Sequence, residues 1–337
     1  MIDFRSDTFT KPTAGMLEAM FNANVGDDVF GEDPTVNLLE SLAADVFGME
    51  SAIFCPSGTM TNQIAIKCHT QPGDEVICDK LSHVYIYEGG GIAFNSGCQV
   101  KPLEGNRGRI NADLISAAIN PDDVHKAVSR LVCVENSANR GGGSCYDFAD
   151  LQSIKELCLI NKLSLHLDGA RLFNAIVEGT QTTKDYGGLF DSISICLSKG
   201  LGAPVGSVLL GKKKFIDKAR RVRKVFGGGM RQAGYLAAAG IYALEHNLER
   251  LSIDHLHAKE IAAALLKKDF TGKMFPVETN IIIFEVVGAY TAHTLSEILR
   301  EYQILVIPIS ATQIRIVLHL DITERMVKDT IKVIENL

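Results

Sequence analysis

The hydrophobic pattern of this chain alternates between short continuous apolar runs and longer segments in which apolar residues recur at helical spacing. Short apolar runs bounded by turn residues are typical of buried strands, and the longer periodic segments are typical of amphipathic helices. Strands of this kind that alternate with helices predict a mainly parallel sheet covered on both faces, which is an α/β fold. The predicted strands are Ala52–Cys55, Glu75–Cys78, Leu131–Glu135, Leu163–Asp168, Ser192–Leu197 and Val205–Leu210, and the predicted helices are Val36–Phe47, Thr59–His69, Leu114–Ile119 and Phe148–Asn161.

The pattern changes after a long helix, rich in Ala and Leu, that is predicted from Gln232 to Asn247. The shorter elements beyond it predict a small α/β layer that packs onto a large domain. Since the first 15 residues show no clear periodicity, we divide the chain into an N-terminal arm (1–20), a large domain (21–247) and a small C-terminal domain (248–337). In the small domain the predicted helices are His255–Lys268, Thr294–Tyr302 and Glu324–Glu335, and the predicted strands are Asn280–Val287, Ile304–Ile307 and Ile314–His319.

Composition narrows the class of protein. The chain has 337 residues, of which 46% are hydrophobic and 22% charged, as in soluble globular proteins. Its net charge of −6 disfavours a nucleic-acid surface. No apolar run reaches the length of about 18 residues that a membrane span needs, and no signal peptide is visible. The eight cysteines include no C-x-x-C pair, so no metal site is expected, and their scatter suits a reducing cytoplasm. Together with the net charge and the lack of a long apolar run, this predicts a cytoplasmic protein without a membrane or nucleic-acid partner.

Two of the predicted strands end in residues that carry chemistry. The strand Ser192–Leu197 leads into Lys199 and a glycine-rich turn, and the strand Leu163–Asp168 ends in an acid. Desolvation at the mouth of a buried strand can lower the pKa of a lysine and free its amine for Schiff-base chemistry. Either residue alone is more often a surface charge or a turn former. Together, Lys199 and Asp168 predict a pyridoxal 5'-phosphate (PLP) site, in which the lysine binds the aldehyde and the carboxylate pairs with the ring nitrogen.

Further candidates surround this pair in the sequence. Gly58 and Thr59 follow a strand and open a helix, where free backbone N–H groups suit a phosphate, although an ordinary helix cap has the same sequence. His83 could stack on a flat cofactor ring. His125 is equally ambiguous, because an isolated histidine is more often structural than catalytic.

Two arginines could bind an anionic group. Arg171 comes three residues after Asp168, so its side chain can face the same strand ends. Arg315 lies on a strand of the small domain and could close the site over a substrate carboxylate, although such an arginine usually faces solvent. Arginine suits this task because its guanidinium pairs with a carboxylate through two hydrogen bonds.

A basic segment at residues 212–224 is followed by the glycines Gly227–Gly229. Most of its charges are expected to lie on a solvated helix face. Lys224 and Arg231 flank the glycine turn, which allows close backbone approach, and they are the candidates for a binding role.

The ordered set of motifs resembles the threonine aldolase family, in the beta-eliminating lyase group of fold-type I PLP-dependent enzymes. The resemblance covers most of residues 2–245 and continues weakly to Arg315. It implies the fold-type I PLP-dependent transferase-like fold, with a mainly parallel seven-stranded sheet in the large domain and a small C-terminal α/β domain. The motifs that carry it are Phe4–Thr8, Val25–Thr35, Pro56–Asn62, Asp168–Arg171, Ser198–Pro204 and Gly227–Gly234.

The resemblance implies a role for each cofactor residue. Lys199 is expected to bind PLP covalently, and Asp168 to bind the pyridine nitrogen. His83 is expected to stack on the ring and to act as a catalytic residue. Gly58 and Thr59 are expected to hold the phosphate.

The resemblance also implies roles in substrate binding and assembly. Ser6, Arg171 and Arg315 are expected to bind the substrate carboxylate, with Arg171 next to the cofactor as well. His125 is expected near the substrate hydroxyl with His83, so the base is His83, His125 or a water. Phe30 is expected at the substrate, and Lys224 and Arg231 are expected to reach a cofactor phosphate across a subunit interface of a homotetramer.

The reaction implied is cleavage of L-threonine or L-allo-threonine to glycine and acetaldehyde by retro-aldol Cα–Cβ cleavage. Three departures from the family pattern leave the substrate open: Phe30 replaces a common Tyr, Ala138 a common His and Leu318 a common Thr. A bulkier β-hydroxy amino acid such as phenylserine, or β-elimination, is the alternative reaction. A PLP-binding protein without turnover is a further alternative, and a nucleotide-binding protein is disfavoured because no G-x-x-x-x-G-K-[ST] loop is present.

Overall fold

A seven-stranded sheet forms the centre of the computed structural model, which describes residues 1–337. Its strand order is β2-β8-β7-β6-β5-β3-β4, and β8 is the one strand that runs opposite to the other six. The predicted α/β fold with a mainly parallel seven-stranded sheet is therefore confirmed. The strands are β1 (Ile2–Asp3), β2 (Ser51–Cys55), β3 (Asp74–Asp79), β4 (Gln99–Leu103), β5 (Val128–Glu135), β6 (Ser164–Gly169), β7 (Ser192–Cys196), β8 (Ser207–Gly211), β9 (Thr271–Met274), β10 (Ile281–Val286), β11 (Ile304–Leu305), β12 (Ile307–Pro308) and β13 (Gln313–Val317).

Helices cover both faces of this sheet and one face of the smaller layer. None of them combines the length and the hydropathy that crossing a membrane requires. The helices are α1 (Ala14–Phe21), α2 (Pro34–Phe47), α3 (Gly58–His69), α4 (His83–Ile86), α5 (Ala112–Ala118), α6 (Phe148–Ile160), α7 (Leu172–Glu178), α8 (Thr183–Leu189), α9 (Lys213–Val225), α10 (Gly234–His246), α11 (Leu251–Leu265), α12 (Ala292–Glu301) and α13 (Glu324–Asn336), and shorter helical turns span Asp7–Phe9, Asp28–Phe30 and Ile92–Ser96.

The direction of the strands brings the chemically interesting segments to one edge of the sheet. Because β2, β5, β6 and β7 run the same way, their carboxyl ends at Cys55, Glu135, Gly169 and Cys196 lie along the same edge. Every residue of β6 and β7 is buried except Ser164, which explains their nearly continuous apolar character. Ligands of open parallel sheets bind outside this edge.

The small layer has its own core. β12, β13, β10 and β9 form an antiparallel four-stranded sheet that is covered by α11, α12 and α13. β1 pairs with β11 in parallel, and Phe4 is fully buried among the apolar residues of this layer. The first residues of the predicted arm thus join the small layer. The predicted domain boundaries remain a prediction, although separate cores of 38 and 21 buried residues agree with a large and a small unit.

Several elements differ from the sequence prediction. The edge strand β4 was not predicted, because Gln99 and Pro102 are exposed and leave no apolar run. The single strand predicted at Ile304–Ile307 is two short strands that pair with different partners. The basic segment does form a helix, α9, but Arg223 on it is buried and pairs with the buried Asp28 at 2.7 Å rather than facing solvent.

Candidate active site

A cleft at the carboxyl edge of the large sheet consists of two cavities that share His83 and Lys199 in their walls. The inner cavity has a volume of about 140 Å³, and the outer cavity one of about 430 Å³. The inner wall includes Gly58, Thr59, Asn62, His83, Asp168 and Lys199. The outer wall includes Ser6, His83, Asn139, Arg171, Lys199 and Arg315. The structure therefore brings together eight of the residues that the sequence proposed, namely Ser6, Gly58, Thr59, His83, Asp168, Arg171, Lys199 and Arg315.

The start of α3 offers backbone donors to the inner cavity. Ser57 caps this helix, and its Oγ accepts a hydrogen bond from the Met60 N–H at 3.2 Å. The N–H groups of Gly58 and Thr59 donate to no acceptor of the protein, as is usual in the first turn of a helix. Since both residues line the cavity, their amides form an anion site of the kind that holds a phosphate.

Asp168 supplies a buried carboxylate at the end of β6. It is only 2% exposed. Its Oδ1 accepts from the Ala170 N–H at 3.1 Å, and its Oδ2 accepts from Asn62 Nδ2 at 2.9 Å. A carboxylate held in this way keeps acceptor capacity for a further N–H donor in the cavity.

His83 also lines the inner cavity, at the start of α4. Its Nδ1 lies 2.9 Å from Oε1 of the buried Glu88, and its backbone N–H donates to Glu135 at 2.9 Å. Burial opposes protonation of the ring, but the hydrogen bond to Glu88 and the negative charge of Asp168 outweigh burial, so the pKa of His83 lies above its ordinary value. The ring is thus fixed through Nδ1, and Nε2 is the nitrogen left for other contacts.

Atoms of His83, Glu88 and Asp168 that could bind a metal lie within 4.8 Å of one another. Their protein partners argue for a different use. Glu88 Oε1 accepts from Asn62 and from His83, and Glu88 Oε2 accepts from Gln63 Nε2 at 2.7 Å. These N–H donors already balance the carboxylates, so a cation is not needed to hold them together.

Lys199 follows β7 and is half-buried between the two cavities. Its backbone is fixed, because its carbonyl accepts from Thr10 Oγ1 at 2.9 Å and from the Gly202 N–H at 2.8 Å. Gly202 has a φ of 82°, which a residue with a Cβ rarely adopts. The Lys199 amine has no hydrogen-bond or ion-pair partner in the protein, so it is free to react.

Arg171 is engaged more closely than the sequence suggested. Its Nε and one terminal nitrogen each donate to the carboxylate of Asp7 at 2.7 Å, and both side chains are buried. Burial alone would raise the pKa of Asp7, but the charge of Arg171 and these hydrogen bonds lower the pKa to about 2. Because Asp7 uses two of the five N–H donors of Arg171, three N–H groups on its two terminal nitrogens remain for a ligand.

Loss of this ion pair is expected to destabilise the fold. Replacing Asp7 by Ala leaves the Arg171 charge buried and unpaired, so the free energy of unfolding should fall by about 3–5 kcal/mol in a denaturant titration. Since the pKa of Asp7 is lowered from 3.8 to about 2, its stabilising effect is present above pH 4 and is lost as the pH falls towards 2. The difference between wild type and variant should narrow over that range.

A matched control comes from the same arm. Asp3 pairs with Arg5 at 2.6 Å, but both side chains are partly exposed. The variant Asp3→Ala should therefore lose only about 1 kcal/mol or less. Equal losses for Asp3→Ala and Asp7→Ala would show that the Asp7–Arg171 pair has no special structural role.

Arg315 has donor capacity that the protein leaves unused. One terminal nitrogen donates to Asn139 Oδ1 at 2.8 Å and the other to the Arg5 carbonyl at 3.1 Å. Its Nε is buried without a partner. Burial and the charge of Arg171 lower the pKa of Arg315 to about 10. An anion in the outer cavity would therefore stabilise the charged form of Arg315, which burial and the nearby Arg171 disfavour.

Four predicted site residues lie elsewhere within the protomer. His125 precedes β5 and so lies at the amino end of that strand, where its exposed ring bonds to Asp123. Phe30 and Lys224 line a separate cavity of about 950 Å³ next to α9. Arg231 is largely exposed, with its Nε 3.6 Å from Asp27. Within one chain, His125 and Phe30 therefore do not approach Lys199. Lys224 and Arg231 are expected to act across a subunit interface, and their role stays a prediction.

Other residues of the site were not predicted as such. Asp7 and Asn62 stand inside two of the motifs, but their types alone gave no sign of their partners. Glu88 and Asn139 lie in segments without a recognisable pattern. Glu135 ends the predicted strand Leu131–Glu135, and this position at the carboxyl end of a buried strand is the signal that could have identified it.

Comparisons with known proteins agree with this geometry. The profile of the beta-eliminating lyase family matches residues 3–289. The low specificity L-threonine aldolase of Escherichia coli K12 is 42% identical over 98% of this chain and 97% of its own length. A probable low-specificity L-threonine aldolase 2 of Arabidopsis thaliana is 43% identical over 96% of this chain and 93% of its own.

Solved structures show the same fold. The threonine aldolase of Leishmania major superposes with a TM-score of 0.87 at 20% identity, covering 100% of this chain and 99% of that one. The serine palmitoyltransferase of Sphingomonas wittichii superposes with a TM-score of 0.78 at 16% identity, covering 99% of this chain and 86% of that one. The chain belongs to the beta-eliminating lyase family, in which its close relatives are threonine aldolases.

Proposed function

We propose that this protein is a PLP-dependent aldolase that cleaves L-threonine or L-allo-threonine to glycine and acetaldehyde. The observation that carries this proposal is the unpartnered Lys199 amine, which shares one cavity with the Gly58 and Thr59 amides and the buried Asp168 carboxylate. The identity of 42% to the Escherichia coli aldolase, over nearly the whole of both chains, supports the reaction.

The chemical groups that line the inner cavity are those that PLP requires. The free amides at the start of α3 would hold its phosphate, Asp168 would accept the proton of its ring nitrogen, and His83 would lie against its ring. Lys199 would bind it covalently. When bound, PLP supplies an electron sink for the electron pair that the breaking Cα–Cβ bond leaves on Cα.

The outer cavity would bind and orient the amino acid. Arg315, the remaining donors of Arg171 and the hydroxyl of Ser6 would hold its carboxylate. This anchoring selects which bond to Cα lies perpendicular to the cofactor ring, an effect of position rather than of acid–base chemistry. His83 Nε2 would face the β-hydroxyl and exchange its proton, because Nδ1 is held by Glu88.

We also propose that the active unit is a homotetramer in the cytoplasm. The side chains of Phe21, Phe30 and Phe94 are 74–90% exposed, as expected of residues that a second subunit covers. All eight cysteines are free, which suits a reducing compartment. In this assembly Lys224 and Arg231 would reach a cofactor phosphate of the neighbouring subunit, and His125 and Phe30 would approach its substrate.

Subunit mixing tests this shared site. Lys199→Ala and Arg231→Ala subunits should each form poorly active assemblies. When the two are unfolded together and refolded, about a quarter of the sites should combine an intact Lys199 with an intact Arg231, so activity should reappear. Mixed assemblies no more active than the separately refolded variants would contradict a site built from two subunits.

A substrate panel tests the reaction itself. The PLP-loaded protein is incubated with L-threonine, L-allo-threonine and L-phenylserine, and glycine and aldehyde are quantified. Equal amounts of glycine and acetaldehyde from either threonine isomer are expected. Glycine and benzaldehyde from phenylserine alone would assign the bulkier substrate, and formation of a 2-oxo acid with ammonia would assign β-elimination instead.

A further inference from the structure

A continuous chain of hydrogen bonds, buried except for its partly buried first member, runs from the far end of α3 to the active site. His69 Nε2 lies 2.8 Å from Ser192 Oγ, and Ser192 Oγ lies 2.8 Å from His166 Nδ1. His166 Nε2 lies 3.1 Å from Asn62 Oδ1. Asn62 Nδ2 then reaches Asp168 Oδ2 at 2.9 Å and Glu88 Oε1 at 2.8 Å.

The proton positions in this chain follow from its active-site end. Asp168 and Glu88 present carboxylate oxygens, so the Asn62 group that faces them must be the amide nitrogen, which donates both its protons. Asn62 Oδ1 therefore accepts, and His166 must carry its proton on Nε2. His166 Nδ1 is then the acceptor and Ser192 the donor, which leaves the Ser192 oxygen to accept from His69.

The two histidines suit such a chain because they stay neutral. Burial lowers the pKa of His166 to about 4 and that of His69 to about 3. A neutral imidazole has one donor and one acceptor. The hydrogen bond at one ring nitrogen therefore fixes where the proton lies, and this fixes whether the other nitrogen donates or accepts. Every hydrogen bond of the chain then points towards the two carboxylates, and such alignment strengthens each bond.

We propose that Asn62 is a positioning residue that ties the Asp168 carboxylate to the Glu88 carboxylate, and that His69, Ser192 and His166 fix the orientation of its amide. The two carboxylates have different tasks: Asp168 faces the cofactor site and Glu88 holds His83. Asn62 thus holds in one geometry the carboxylate that would pair with the cofactor ring nitrogen and the carboxylate that fixes His83. This inference rests on the proposed function for its catalytic consequence, although its structural part does not.

We call the hydrogen-bonded chain from His69 through Ser192 and His166 to Asn62 the relay. It makes a counterintuitive prediction about two serines of β7. Ser192 pairs in register with His166, and Ser194 pairs in register with Asp168, so Ser194 is the nearer of the two to the carboxylate. Both are buried and lie on the same side of the strand. The Ser194 hydroxyl bonds to Thr61 at 2.6 Å and takes no part in the chain.

The experiment compares Ser192→Ala with Ser194→Ala and with Asn62→Ala, all as PLP-loaded holoenzymes of verified thermal stability. Asn62→Ala should lower kcat on L-threonine about ten- to a hundredfold with little change in KM, because the carboxylate anchor Arg315 is untouched. Ser192→Ala should lower kcat about tenfold, whereas Ser194→Ala should stay near wild type. Equal kcat values for the two serine variants would overturn the relay.

A second measurement needs no turnover, and its decisive reading is made on the wild-type protein. Nitrogen-15 NMR of histidine-labelled wild-type protein reports which ring nitrogen of His166 carries the proton. A proton on Nε2 at neutral pH is expected, and Ser192→Ala should release the Nδ1-protonated form. A wild-type His166 protonated at Nδ1 would overturn the proposal, even if Ser192→Ala fails to fold. Since this result is read without substrate, absence of aldolase activity would refute the proposed function and leave the relay to be judged separately.

Discussion

Replacing Lys199 by Ala is expected to abolish both turnover of L-threonine and the visible absorbance of the PLP-loaded protein. The Lys199 amine is the one amine in the wall of the inner cavity, and no acceptor of the protein competes for it. Without it, PLP can be held only by non-covalent contacts to the α3 amides and Asp168. Absorbance spectra after dialysis and acetaldehyde release under single-turnover and steady-state conditions measure the two effects.

An exposed lysine of the same chain provides the control. Lys214 lies on α9, away from both cavities, and Lys214→Ala should keep wild-type absorbance and rate. Substantial activity or absorbance in Lys199→Ala would refute the role proposed for Lys199.

Replacing Asp168 by Asn should lower kcat on the order of a hundred- to a thousandfold, as for removal of one preorganised charge from an enclosed site. The amide cannot hold a proton on the ring nitrogen of PLP, so the electron sink is weakened while the substrate carboxylate anchor is intact. The expected pattern is therefore a large fall in kcat with a small change in KM.

Asp79 is the matched control for Asp168. It also ends a buried strand, β3, and it is also only 2% exposed. Its carboxylate instead accepts from the Leu81 N–H at 2.7 Å and the Gly105 N–H at 3.0 Å. Asp79→Asn should retain wild-type kcat, and a fall in kcat equal to that of Asp168→Asn would point to a general loss of folding rather than to a role at the cofactor.

The centre of the site could be predicted because the fold itself is regular there. Lys199 and Asp168 each follow a continuous apolar strand, and parallel strands bring such positions to one edge. Gly58 and Thr59 could be predicted for the same reason, since they begin the helix after β2. Here a hydrophobic pattern is enough to place a functional residue.

Contacts between distant segments could not be predicted in this way. Asp7 is 164 residues from Arg171, and Asn62 is 106 residues from Asp168, so no local pattern joins either pair. The residue type of Arg171 indicates that it can bind an anion, but it does not show that a buried carboxylate of the protein already uses two of its donors. His125 was placed by resemblance alone, and the path of the chain puts it at the other end of β5.

Borohydride reduction of the PLP-loaded protein, followed by peptide mass spectrometry, tests most directly whether this cleft is a PLP site built on Lys199. Reduction fixes the cofactor to the amine that binds it. One phosphopyridoxyl group per chain on the peptide that contains Lys199 is the predicted result. No labelled peptide, or a label confined to another lysine such as Lys224, would contradict it.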